Sequence, residues 1–303
     1  MFVIDADNLN KDRIKNDIEV AGSAIREGGC KTALIADRGG DFSFPGDIDR
    51  RECLIVTDEP KRAEELLGAG VYTVGLLHEY NKGAEFPRAR YIFSDIADVD
   101  FDSYTKVYQR YAGEPWEILR TNRLLIRETT VEDVDEFYKI YADPEMTRYM
   151  EGLFDDPEDE KKYQRDYIEK IYSLLGFGVW SLVRLSDGKI IGRAGYSARS
   201  GFDAVEMGFL VGTEYQRQGY CMEALEAILD YGRDVLLFES VQTLVKAENL
   251  VSLHICEKLG FERTEEVEVE ENIYGDSYAG GKKKEERKAT YGKYVRMMKK
   301  FFD

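Results

Sequence analysis

The chain is short of three things that would have fixed its class at once: paired cysteines, a long apolar run and an excess of positive charge. Its four cysteines, Cys30, Cys53, Cys221 and Cys256, are widely spaced and form no C-x-x-C pair, so they read as reduced thiols and no metal site is expected from them. No apolar run approaches the roughly eighteen residues of a membrane-crossing helix. Met1 is not followed by a charged-then-apolar leader. Neither a membrane span nor a secretion signal is therefore expected, and the chain reads as cytoplasmic. The formal net charge of −17 is spread over both halves, which argues against a nucleic-acid partner bound through a broad basic surface. An anionic ligand would have to find its positive potential locally, at a helix N-terminus or a few arginines.

What is there suggests two domains, since 303 residues exceed the usual single-domain size. In the first, 1–118, short apolar runs alternate with helical patterns. Phe2 to Ile4, Thr32 to Ala36, Cys53 to Thr57, Val71 to Leu77 and Tyr91 to Phe93 have strand length, and the continuous ones suit strands buried on both faces. Ile14, Ile18, Ala21 and Ile25 fall on one helical face, and Pro60 opens a second helix that Gly68 and Gly70 stop. Such alternation predicts a small parallel sheet of Rossmann type. The join is placed near Gly113 to Trp116, with Trp116 a candidate wedge between the domains.

The second domain, 119–303, is organised around Val205 to Asp230. Val205, Met207, Phe209 and Val211 alternate with Glu206, Gly208 and Leu210, which predicts a strand. Met222, Leu225, Ile228 and Leu229 then recur at helical spacing. Between them Gln216-Arg217-Gln218-Gly219-Tyr220-Cys221 is a turn whose glycine allows close backbone approach, while the first-turn amides point outward and favour an anion. Thr130 with Asp133 predicts a capped helix buried through Val134, Phe137 and Tyr141. Tyr163, Tyr167, Ile171 and Tyr172 form the aromatic face of another, and a Ser186-Asp187-Gly188 turn predicts a hairpin. Val241 to Lys246 is a strand, after which Asn249 caps a helix with Val251, Ile255, Cys256 and Leu259 along one side. Two more strand-like runs, Glu266 to Glu270 and Tyr291 to Lys300, flank a loop with Lys282 to Lys284.

The Gln216 to Cys221 turn resembles the pyrophosphate loop of the GNAT superfamily of acyl-CoA N-acyltransferases, with Gln216 and Gly219 matching and Cys221 a mild departure. T-x-R-L at Thr121 to Leu124, Asp143-Pro144-Glu145-Met146, and AENLVSLHICEKLGF from Ala247 to Phe261 resemble the group containing the ribosomal-protein N-terminal acetyltransferases. The resemblance implies an α/β chain whose second half has a mixed, mostly antiparallel central sheet, with acetyl-CoA as acyl donor and a small-molecule or peptide amine as acceptor. It places the cofactor on Phe209, Leu210, Val211, Gln216, Arg217, Gln218, Gly219, Tyr220, Cys221, Asn249 and Ser252.

Acyl transfer from a thioester to an amine needs a base, oxyanion donors and an acid for the leaving thiolate. Glu206 on a core strand is the candidate base; it equally suits a carboxylate paired with a cross-strand arginine or tyrosine. Cys256 stands where the family often has an acidic tyrosine, so Tyr220, Tyr231, Tyr196 or water would have to serve. His254 reads as a solvated or packed side chain.

The first domain resembles a shortened haloacid dehalogenase-like domain, with Asp5 and Asp7 as nucleophile and acid and Asp58 as a Mg²⁺ ligand. Leu9 and Ala36-Asp37 depart from that pattern, which leaves a phosphohydrolase, a sensor or a dimerisation module as alternatives. A non-catalytic acyl-CoA sensor is the competing reading of the second domain, and a homo-oligomer formed through the first is possible.

Overall fold

Apolar runs of strand length separated by capped helices do build a parallel sheet at the start of the chain. A computed structural model describes residues 2–5, 12–35, 49–275, 277–278 and 289–302. Asp7, Leu9, Ala36-Asp37 and Lys282 to Lys284 lie outside them. The chain divides into two units, Met1–Glu114 and Pro115–Asp303.

In the first unit, β1 (Phe2–Asp5), β2 (Thr32–Ile35), β3 (Leu54–Thr57), β4 (Tyr72–Leu77) and β5 (Ile92–Ser94) form one sheet in the order β2-β1-β3-β4-β5. Every pairing in it is parallel. Among the described residues three α-helices pass between or after the strands: α1 (Asp12–Glu27), α2 (Pro60–Gly68) and α3 (Phe101–Ala112). α1 buries Ile18, Ala21 and Ile25 against Phe2, Leu54 and Tyr104, the face its spacing predicts. α2 starts with Pro60 at its first position and α3 ends at Gly113 with φ 73, each residue supplying the backbone geometry its position needs.

The second unit is an eight-stranded sheet in the order β12-β13-β11-β10-β9-β8-β7-β6. Its strands are β6 (Glu117–Arg120), β7 (Leu124–Glu128), β8 (Val179–Arg184), β9 (Ile190–Ser197), β10 (Val205–Val211), β11 (Ser240–Lys246), β12 (Glu262–Glu271) and β13 (Thr290–Lys300). Only β10 and β11 run parallel; the other pairs are antiparallel. α4 (Val134–Tyr141) and α5 (Pro157–Tyr167) precede β8, and α5 runs on through a π-turn at Ile168–Tyr172 into a single turn, α6 (Ser173–Leu175). α7 (Tyr220–Asp234) and α8 (Leu250–Lys258) follow β10 and β11.

Alternation splits the sheet's side chains between two cores. Leu124, Ile126, Trp180, Met207, Val211 and Val241 pack with α7 and α8 through Leu225, Ile228 and Leu253. On the other face Val183, Ile190 and Leu210 pack with Phe137 and Tyr141 of α4. A buried ion pair fastens α4 to the sheet: Arg127 donates to both Asp133 oxygens at 2.6 and 2.8 Å, and Ser181 Oγ donates to Oδ2 at 2.7 Å.

Two local expectations change. Thr130 does not cap α4; the helix begins at Val134, and it is Thr130 whose N–H donates to the Asp133 carboxylate, because that carboxylate is already fixed by Arg127. Val251 does not share the buried side of α8: it is 71% exposed, while Leu253 and Cys256 face the core. Leu250 beside it is equally exposed, so the buried side of α8 begins at Leu253.

Candidate active site

The site is built from a fork in the sheet. β10 pairs with β11 at two rungs, Val205 with Val241 and Glu206 with Gln242. Beyond them β10 stays with β9 as far as Val211, and β11 stays with β13 as far as Lys246. Among the described residues, no strand covers the β10 edge from Met207 to Val211. The hydrogen bond from Gly212 N–H to Ile191 O at 2.9 Å fixes which way the backbone alternates. The peptide groups of Glu206, Gly208 and Leu210 point to β9, and those of Met207, Phe209 and Val211 point into the fork. Gln216 Nε2 reaches Val211 O from that open side, at 2.9 Å. Leu210 is therefore not a backbone donor to a ligand in the fork: its amide belongs to the β9 ladder and its side chain to the core under α4.

The same alternation places Glu206, Gly208 and Leu210 on the α4 face and Met207, Phe209 and Val211 on the α7 and α8 face. Glu206 is 8% exposed, and Arg199 Nε donates to its Oε2. Burial pushes the Glu206 carboxyl above the usual carboxylate range, while the Arg199 guanidinium pulls the other way. Glu206 is thus a desolvated carboxylate at a fork, held by an arginine from the preceding loop and not by a cross-strand partner. Arg199 was not legible as its partner, because it lies in the loop before β10 and not on a neighbouring strand.

At the far end of β10, Arg217 and Gly219 both take left-handed φ values, 58 and 84. This double turn delivers the chain to α7 with Gly219 as its N-cap. Among the described residues, no backbone or side-chain acceptor takes the N–H groups of residues 217–222; the first α7 bond runs from Glu223 N–H to Gly219 O. Gln216, Arg217, Gln218 and Gly219 are exposed, so these amides offer an anion the positive end of a fifteen-residue helix. Arg123 braces the turn, donating to Gln218 O at 2.9 Å and to Glu223 Oε2 at 2.6 Å.

Asn249 and Ser252 sit where β11 gives way to α8. The Asn249 side chain accepts the Ser252 N–H at 3.1 Å, so it is a helix cap whose amide group has donors to spare.

The candidate acids fare differently. Tyr220 is buried with its ring 4.4 Å under the Arg123 guanidinium, on the β7 side of the sheet and three strands from the fork. It is not placed to protonate a group between β10 and β11. Tyr196 is fully buried and donates to Ile228 O at 2.8 Å. His254 is solvated. Cys256 is buried on α8, and burial pushes its thiol up to about 12, as it does that of Cys221.

In the first unit Asp58 Oδ2 lies 3.0 Å from His78 Nε2, and Asn81 Nδ2 donates to Asp58 O at 3.2 Å. Among the described residues, no group of three or more His, Cys, Asp or Glu side chains could hold a metal ion.

Residues 123–262 match the family model described as "Acetyltransferase (GNAT) domain". The chain carries a GNAT acetyltransferase domain. Its relatives include the uncharacterized N-acetyltransferase p20 of Bacillus licheniformis, 28% identical over 151 residues, 48% of this chain and 83% of that protein. The uncharacterized N-acetyltransferase YnaD of Bacillus subtilis (strain 168) is 29% identical over 150 residues, 48% of this chain and 82% of that protein. A GNAT-family acetyltransferase structure from Bacillus anthracis superposes at 19% identity with TM-score 0.46, over 60% of this chain and 97% of that one. Within the GNAT domain the fork, Glu206 and the Gly219 turn all lie inside the matched span.

Proposed function

We propose that the GNAT domain transfers an acetyl group from acetyl-CoA to a primary amine by direct attack on the thioester. The observation that carries this reading is the open β10 edge between Glu206 and the uncapped turn at Gly219. The residues fit the donor: free amides of 217–222 and the α7 N-terminus suit a diphosphate, and the Phe209 and Val211 peptide groups suit an extended amide-bearing arm in the fork. Asn249 and Ser252, at the start of α8, are the residues that would meet the pantetheine arm. When bound, acetyl-CoA supplies the activated acyl carbon.

This chain's own part is positional and electrostatic. Glu206, on the α4 face, takes the proton from the amine as its nitrogen bonds to the acyl carbon and the carbon–sulfur bond breaks. Its raised pKa brings its basicity nearer to that task. Backbone N–H groups at the fork stabilise charge developing on the acyl oxygen. The proton needed by the departing thiolate comes from water in this scheme, since Tyr220 packs under Arg123 and Tyr196 is buried with its hydroxyl on Ile228 O.

Calorimetry with acetyl-CoA tests the first step, and transfer to an amine panel tests the second. Micromolar binding with turnover supports the reading, and no binding overturns it. A non-catalytic acyl-CoA sensor and a phosphohydrolase in the first unit are not favoured: the matched family is an acetyltransferase, and Asp58 is engaged by His78.

A further inference from the structure

The turn at the end of β10 is pinned from the α4 side by a carboxylate that takes no part in the transfer itself. Between Val211, where β10 ends, and Tyr220, where α7 starts, the chain must hold its free amides in place before an anion reaches them. Arg123 braces the far end of this stretch through Gln218 O. The near end opens with a short helical turn, Thr213–Tyr215, and Thr213 Oγ1 donates to Asp143 Oδ2 at 2.7 Å. Asp143 lies just past the end of α4.

The other Asp143 oxygen is committed as well. Oδ1 accepts the Glu145 N–H at 3.0 Å, and the Met146 N–H donates to Asp143 O at 2.9 Å, so the residue folds the Asp143-Pro144-Glu145-Met146 corner over itself. That corner turns Met146 into the core under α4, where it is buried with Phe137 and Leu210. There its Sδ lies 3.9 Å from Gln216 Nε2, the amide that also donates to Val211 O at 2.9 Å. One aspartate thus sets two contacts on the turn, a direct one at Thr213 and an indirect one at Gln216. Its carboxyl is held below the usual range, first by the Thr213 hydroxyl and then by the Glu145 N–H, so it is ionised and accepting at neutral pH.

Resting on the acetyl-transfer reading, we infer that Asp143 is a positioning residue for the donor: through Thr213 and Met146 it holds residues 213–216 so that the amides of 217–222 are already aimed at the diphosphate of acetyl-CoA. It acts through these side chains and not on the acyl group. A residue that only pre-organises a binding turn acts on affinity, because without it the ordering of the turn falls on the binding step. Once the site is saturated, its loss should leave the chemical step alone.

Calorimetry and steady-state rates on the full chain test this, with acetyl-CoA as the probe and, for the rates, the amine that turns over fastest in the panel. Asp143→Ala should raise Kd and KM for acetyl-CoA by roughly three- to tenfold, the size expected for one hydrogen bond, with kcat at saturating acetyl-CoA unchanged. Thr213→Val should weaken binding in the same direction, and adding it to Asp143→Ala should weaken it no further, because the two changes break one contact. Thr213→Ser keeps the hydroxyl and should bind like wild type. If Asp143→Ala does not fold, the two Thr213 variants decide alone, and equal affinities for them overturn the inference. Unaltered acetyl-CoA affinity in Asp143→Ala, a double variant whose losses multiply, or a fall in kcat with KM intact also overturns it while leaving acetyl transfer standing. Wild type that fails to bind acetyl-CoA removes both readings.

Discussion

Arg199 Nε donates to Glu206 Oε2 beside the point where β10 and β11 part, so the carboxylate nearest the fork is both desolvated and tethered. Desolvation raises its pKa and the guanidinium opposes that rise. A base must be ionised to act, so kcat/KM should fall as pH drops through a value above the ordinary carboxylate range. Replacing Arg199 with Ala removes the opposing cation and should move this acid limb to higher pH, as read in a pH–rate profile. Glu206→Gln should lower kcat by about 10²- to 10⁴-fold. A profile that does not shift in the Arg199 variant would separate this carboxylate from the rate.

The same raised pKa has a consequence for folding. A group whose folded pKa lies above its unfolded value contributes stability below the unfolded pKa and loses it as pH rises through the folded one. Asp133 behaves oppositely. Burial would raise its pKa, but the Arg127 guanidinium, the Thr130 N–H and the Ser181 hydroxyl outweigh it and hold the carboxyl below the usual range. Its contribution is present above the unfolded pKa and is lost as pH falls through the folded value. Asp133→Ala strands Arg127 without its partner and should cost about 3–5 kcal/mol at neutral pH by urea unfolding. The difference between wild type and variant should shrink in acid; a constant difference would mean that the ion pair is not its source.

Gly219 is the N-cap of α7 at φ 84, a conformation that side-chain-bearing residues enter at a cost of about 1–2 kcal/mol. A Cβ there would also come within 3.3 Å of an Arg123 guanidinium nitrogen. Gly219→Ala should lower the unfolding free energy by about 1 kcal/mol and weaken acetyl-CoA. Gly219→Trp should abolish binding by covering the amides of residues 217–222. Calorimetry reads both, and unaltered affinity in the Trp variant would place the diphosphate elsewhere.

Much of this geometry could be read from residue order. The period-two pattern from Val205 to Val211 gives β10 and assigns Glu206 and Leu210 to one face, and Gly219 marks the turn into α7. Asn249 reads as a cap because its side chain competes well for a first-turn amide. The fork itself is not legible, because the number of rungs two distant strands share depends on where each finds its other neighbour. Direction is lost for the same reason. Tyr220 looks like a site residue from its place in the motif, yet packing under Arg123 turns it away. Gln242 is an amide inside the strand SVQTLVK, and its burial follows from that place in the sheet.

Cys221 lies in the first turn of α7, where the helix dipole and free amides favour a thiolate. Burial opposes them, and here it wins: the thiol is pushed up to about 12. Reactivity with iodoacetamide follows thiolate content, so the folded protein at pH 8 should be alkylated very slowly at Cys221. Cys256, pushed up to about 12 by burial on α8, should be equally inert. Both should react promptly once urea unfolds the chain, as peptide mass spectrometry would record. Fast labelling of Cys221 in the folded state, suppressed by acetyl-CoA, would mean that the amides at 217–222 already act on the sulfur and that the turn's field outweighs desolvation.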